Sequence, residues 1–222
     1  MSEAFIDLVR GMHLLALALG MGAALYLDWR TLQGLGKRID KQDIVEIHRI
    51  HRFVTIAFAA LWASGLYLVY IRTGFDLVAF TPKLWCKLMI VSAMSVNAWV
   101  IGAKVVPYLS ARVGKRIVQF PLKQLMGFST VAGISMFCWI SALALGSSKV
   151  LKTAGWDILL SGLGVALAGI ILGGACGIVM CRIVLVGLAG RPEPFDRVAD
   201  GVSRPGQFVR RRIPWRKALT PD

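Results

Sequence analysis

The chain has 222 residues, 56% of them apolar, and carries 26 Lys and Arg against 12 Asp and Glu for a formal charge of +14. With a mean hydropathy of +0.65 it holds more apolar surface than a soluble domain of this length can bury, which excludes an ordinary water-soluble enzyme or binding module. The positive charge taken alone would suit nucleic acid, but it gathers in alternate loops between apolar runs, which favours a membrane and excludes nucleic acid as partner.

Five apolar runs, roughly 8–27, 53–71, 85–106, 124–146 and 157–181, reach the about 17–25 residues that cross a bilayer as a helix. None alternates with period two, so barrel strands are excluded. The expected fold is an all-α, polytopic membrane bundle of five transmembrane helices. It divides into a four-helix bundle over 1–146, a fifth helix within 147–190 and a basic tail over 191–222.

The first run, GMHLLALALGMGAALYLDW over 11–29, carries His13 in apolar surroundings. The start MSEAFIDLVR is acidic before it is basic, and no A-x-A-like site precedes Asp28, so this helix is expected to be retained rather than cleaved as a signal. Ala16 and Gly20 follow His13 at three and seven residues and share its helical face. Small residues mark close helix contacts in a bilayer, so His13 is expected to face protein and not lipid.

The connection at 28–52 holds Arg30, Lys37, Arg38, Lys41, Arg49 and Arg52. Within it RIDKQDIVEIHRIHRF, 38–53, places Ile44, Ile47, Ile50 and Phe53 at three-residue spacing, which predicts an amphipathic lead-in to the second helix. His48 and His51, with Glu46 and Asp43 nearby, have the i, i+3 spacing that a second, zinc or copper, site would use. Such a site needs three or four ligands, and Arg49 and Arg52 would repel a cation, so a basic interfacial helix is the plainer reading.

The third run opens with LWCKLMIV, placing Lys87 near its start, and Lys104, Arg112, Lys115, Arg116 and Lys123 follow it. Cys86, Cys138, Cys176 and Cys181 form no C-x-x-C pair and read as small apolar residues. In the fifth run Gly169, Gly173 and Gly177 recur every four residues, which predicts close packing on a neighbouring helix or on a second copy of the chain. The tail contains Pro192, Pro194, Pro205, Pro214 and Pro221 and cannot be one helix. Its GQFVRRRIPWRKAL stretch suits anionic lipid headgroups, at about 1 kcal/mol per basic residue near the surface.

Outside the basic connections and tail, only Arg10, Arg72, Lys83, Lys87, Lys149 and Lys152 lie at the opposite ends of the runs. The positive-inside rule then predicts an external N-terminus and a cytoplasmic C-terminus, in a bacterial-type inner membrane. His13 thereby falls in the outer half of its helix, and Lys87 can share its depth. His13 and Leu27 are about 21 Å apart at helical rise, so no single metal or haem iron can bind both His13 and His51. An intramembrane His or Lys is a functional candidate because each is costly in hydrocarbon. The alternatives are a hydrogen bond from His13 to a neighbouring carbonyl or hydroxyl, and snorkelling of Lys87 to the headgroups.

HLLALALGMGAALYL from His13, RFVTIAFAALWASGLYLVY in the second run and LWCKLMIV around Lys87 together resemble the HemJ-type protoporphyrinogen oxidase and CopD-like group of four-helix membrane proteins. The likeness spans about residues 8–146. It implies haem b held in the bundle, with His13 and Lys87 as the functional pair. This chain departs from the pattern where it has DWRTLQ after the first helix, and Ser95, Asn97 and Trp99 in the third, in place of further histidines.

Three functions follow as expectations. One is redox or haem and porphyrin chemistry with His13 as axial ligand and Lys87 as second ligand, propionate partner or proton donor. Another is a non-enzymatic scaffold or accessory subunit of a larger complex, resting on the glycine ladder and tail. The third is copper or small-solute transport through Met12, His13 and Met21, against which stands the lack of a Met-rich or acidic collecting segment. No nucleotide-binding loop, Ser/His/Asp set or H-E-x-x-H helix is present in the sequence.

Overall fold

The computed structural model describes residues 3–188, and the basic tail with its expected lipid contacts lies outside them. Five helices, each long and apolar enough to cross a membrane, make up most of the described residues: α1 Glu3–Gly34, α2 Lys41–Thr73, α3 Pro82–Ser110, α4 Leu122–Ser147 and α5 Trp156–Leu188. No strand occurs among the described residues, whose one bridge pairs Arg38 with Arg116. Helices α1 and α2 pack as an antiparallel pair, α3 packs on α4, α4 also meets α1, and α5 lies along α4.

Local chemistry sets the helix limits. Asp40 caps α2, and Asp43 accepts from the Asp40 backbone N–H at 2.8 Å, closing a capping box. The helix ends at Gly74, whose φ of 59° is the left-handed conformation that glycine adopts at little cost. At α3 the Thr81 hydroxyl accepts from Leu84 N at 3.3 Å and Pro82 occupies the first turn, where its missing N–H leaves no bond unmade. Near its other end α3 widens into a π turn, Ile101–Val105. Pro107 follows at once and has no N–H for the Ala103 carbonyl, so the regular ladder is broken there in any case.

The main core joins Ala16 and Leu17 of α1, Leu61 of α2, Cys86, Ile90 and Met94 of α3, and Phe137, Cys138, Trp139 and Leu145 of α4. A second cluster lies at the end of the bundle that carries the 35–40 and 111–121 connections. There Ile39, Leu109, Phe120 and Leu125 pack with Ile44, Ile47, Tyr108 and Phe128. Tyr108 meets Phe120 and Phe128 edge-on at 5.5 and 5.2 Å, and the Arg112 guanidinium covers its ring at 3.4 Å. Backbone bonds from Ile39 N to Lys115 O at 2.9 Å and from Gly114 N to Ile39 O at 2.8 Å clasp the two connections.

The lead-in expected at 38–53 is helical only from Lys41, and Ile44 and Ile47 turn into this second cluster instead of lying on a lipid surface. Packing of Gly169, Gly173 and Gly177 against a neighbouring helix is not made among the described residues. All three are exposed, with nothing within 4 Å of where a Cβ would stand. The α4–α5 contact runs through adjacent positions: a Cβ at Gly174 would come 2.7 Å from Ser129 Oγ, and one at Gly133 would come 3.3 Å from Ile170 Cγ2. Four-residue spacing identifies a face of small residues, but Gly174, one position over, is the residue that meets α4.

Candidate functional site

At the bundle end opposite the basic connections, α1, α2 and α3, with Ala142 and Gly146 of α4, enclose a cleft of about 570 Å³. That is within the about 300–1,000 Å³ usual for small-molecule sites. Leu14, Leu17, Leu61, Leu66, Leu84, Leu88 and Val91 supply apolar wall, and Trp62 adds an aromatic face. The ionisable side chains lining it are Arg10, His13, Arg72 and Lys87, with no carboxylate among them. His13 and Lys87, expected at a shared depth, both line this cleft.

His13 reaches it because α1 buries the stripe Ala16, Leu17 and Gly20, which carries the imidazole three residues earlier towards α2. Its Nδ1 lies 2.9 Å from the Ser64 hydroxyl. The hydroxyl is also 2.6 Å from Ala60 O and 3.2 Å from Leu61 O, the back-bonding typical of serine within a helix. A Cβ on Gly65 would stand 3.2 Å from His13 Cε1, so the ring lies against bare backbone there. The hydrogen-bonded alternative for His13 is therefore realised, but it engages one ring nitrogen. No hydrogen bond joins Nε2 to any described residue.

Lys87 stands in the second turn of α3, close to the positive end of that helix. It is half-buried and has no hydrogen-bond partner among the described residues. Arg10 is exposed and held by Asp7 at 2.8 Å, leaving its guanidinium at the mouth of the cleft. Arg72, in the last turn of α2, completes a cationic rim. A ligand with an apolar body and an acidic head fits this lining; a free metal cation does not.

The other residues singled out from sequence lie elsewhere. Met12 is 57% exposed and Met21 packs against the main core, so neither lines the cleft with His13. His48 is exposed and its Nδ1 donates to Ile44 O at 2.8 Å. His51 lies against α3, where a Cβ on Gly102 would come 3.0 Å from its Nε2. Among the described residues no group of three or more His, Cys, Asp or Glu side chains could hold a metal ion. Ser64, Gly65, Arg10 and Arg72 were not singled out as site residues from sequence. Ser64 and Gly65 have no distinguishing spacing within their apolar run, and the two arginines served there only as topology markers.

No protein-family model, curated protein or solved structure matches the chain.

Proposed function

We propose that the chain is a multi-pass protein of a bacterial-type cytoplasmic membrane that binds haem b in the cleft lined by His13 and takes part in redox or porphyrin chemistry. The observation that carries the reading is an imidazole with Nδ1 engaged by Ser64 and Nε2 without a partner, on an apolar cleft whose charged lining is wholly cationic. His13 Nε2 would bind iron, and Arg10, Arg72 and Lys87 would pair with the propionates, since carboxylates gain from charge-assisted bonds. Bound there, haem would supply an iron that changes oxidation state. The protein's part would be to orient it, exclude water and tune it through His13. With no second histidine lining the cleft, any further group offered to the iron would come from Lys87, water or a substrate.

The test is the visible spectrum of protein purified from haem-replete cells, oxidised and then reduced. A Soret band lost in His13→Ala and retained in His48→Ala and His51→Ala is expected. A band that survives loss of His13, or no band at all, overturns the reading. The second result would leave the accessory-subunit reading, favoured by the open glycine face of α5. Copper transport has no comparable support, because neither methionine joins His13.

A further inference from the structure

We infer that Ser64 is a positioning residue that fixes the tautomer of His13 and so decides which ring nitrogen is offered to the cleft; the inference rests on reading that cleft as a ligand site. A serine hydroxyl has one hydrogen, and the carbonyls of Ala60 at 2.6 Å and Leu61 at 3.2 Å can only accept. The Ser64 O–H therefore donates to its own helix, and Oγ meets His13 Nδ1, 2.9 Å away, as an acceptor. Nδ1 must then carry the proton. In a neutral imidazole this leaves the lone pair on Nε2, the nitrogen able to bind a metal or take a proton from a ligand.

Gly65 contributes room rather than a bond. A Cβ there would be 3.2 Å from Cε1 and 3.7 Å from Nδ1, so a side chain would crowd the ring on the edge that Ser64 holds. Two consecutive residues of α2 thus form a seat for a side chain carried by α1. Without the hydroxyl, the ring keeps at most the Leu61 carbonyl as acceptor, and the Nε2–H tautomer, which has no lone pair on the nitrogen that Ser64 leaves unengaged, gains population. Outer partners of this kind commonly change metal affinity by about 10- to 100-fold.

The test uses the full chain in detergent micelles, with ¹⁵N-labelled histidine and His48→Gln and His51→Gln so that only His13 reports. In the neutral ring a protonated Nδ1 and a bare Nε2 are expected. Ser64→Ala should give averaged signals from both tautomers, whereas Ser64→Thr, which keeps the hydroxyl, should restore the single form. Titrating haem into apoprotein should show about ten-fold or greater loss of affinity in Ser64→Ala and near-normal affinity in Ser64→Thr. A structural role in α2 alone would leave the tautomer unmoved. Nε2–H in the parent protein, or identical tautomers in parent and Ser64→Ala, overturns the inference whatever haem does. A tautomer shift in protein that binds no haem leaves Ser64 in its role and removes the haem reading.

Discussion

A Cβ on Gly20 would stand 2.5 Å from Trp139 Cη2 and 3.2 and 3.3 Å from the neighbouring ring atoms, and Trp139 is 2% exposed within the main core. The indole is rigid and buried, so even one methyl group there must displace it or push apart α1 and α4. Gly20→Ala is expected to cost about 1–3 kcal/mol, the usual penalty for overpacking, read as a lowered unfolding midpoint in detergent. Gly173→Ala meets nothing within 4 Å and should remain within about 0.5 kcal/mol of the parent. Equal losses at the two positions would place Gly173 at an interface between copies. The contrast also marks how far single residues could be read from sequence. The small-residue ladder through Ala16 and Gly20 located the face that carries His13, because spacing specifies direction. It could not name Trp139 or Ser64 as the opposing groups, because spacing within one helix says nothing of what packs against it. In the fifth helix, where α5 contacts α4 along only part of its surface, the same rule selected residues on the open side.

Helix α2 has 33 residues and so a length of about 50 Å, well beyond the roughly 30 Å hydrocarbon thickness. In a membrane its first turns would project from the bilayer, where water competes for backbone groups and the start of the helix depends on its cap. The Asp40 and Asp43 pair supplies that, and the adjacent Glu46 accepts from Tyr26 and Arg30 of α1 at 2.8 Å each. Asp40→Ala is expected to lower stability by about 1 kcal/mol. Thermal unfolding in detergent checks it, with Asp40→Asn, which can still cap, close to the parent. No change in Asp40→Ala would mean that Ile44 and Ile47, held in the second cluster, fix the start of the helix unaided. Element existence was legible because bilayer thickness sets a length of apolar run that is easily counted. The π turn at Ile101–Val105 was not, since Pro107 shows where the ladder must break but not how the helix accommodates the break.

For the whole molecule, the connections rich in Lys and Arg come together at one end, clasped through Ile39, Gly114 and Lys115, while the cleft with His13 and Lys87 opens at the other. At that far end Lys83 Nζ donates to Ser148 O, tying the start of α3 to the connection after α4. Helices that cross a membrane would put these two ends of the bundle on opposite sides of it, and the charge asymmetry predicts which side is cytoplasmic. The surface between them carries large exposed apolar side chains such as Ile56, Val96, Trp99 and Leu172, an area that water would penalise and lipid would not. Orientation can be tested with single cysteines in a Cys176→Ala, Cys181→Ala background, because Cys86 and Cys138 are buried. Val78 is 93% exposed at the far end, and Lys115 is exposed in the clasp. A membrane-impermeant maleimide applied to intact cells stripped of any outer membrane should label Val78→Cys directly, and Lys115→Cys only after the membrane is broken. The opposite order would invert the topology and put the cleft on the cytoplasmic side, where its ligand would have to be drawn from the cell interior. Labelling of both from one side would deny that these helices span the bilayer an odd number of times between the two positions.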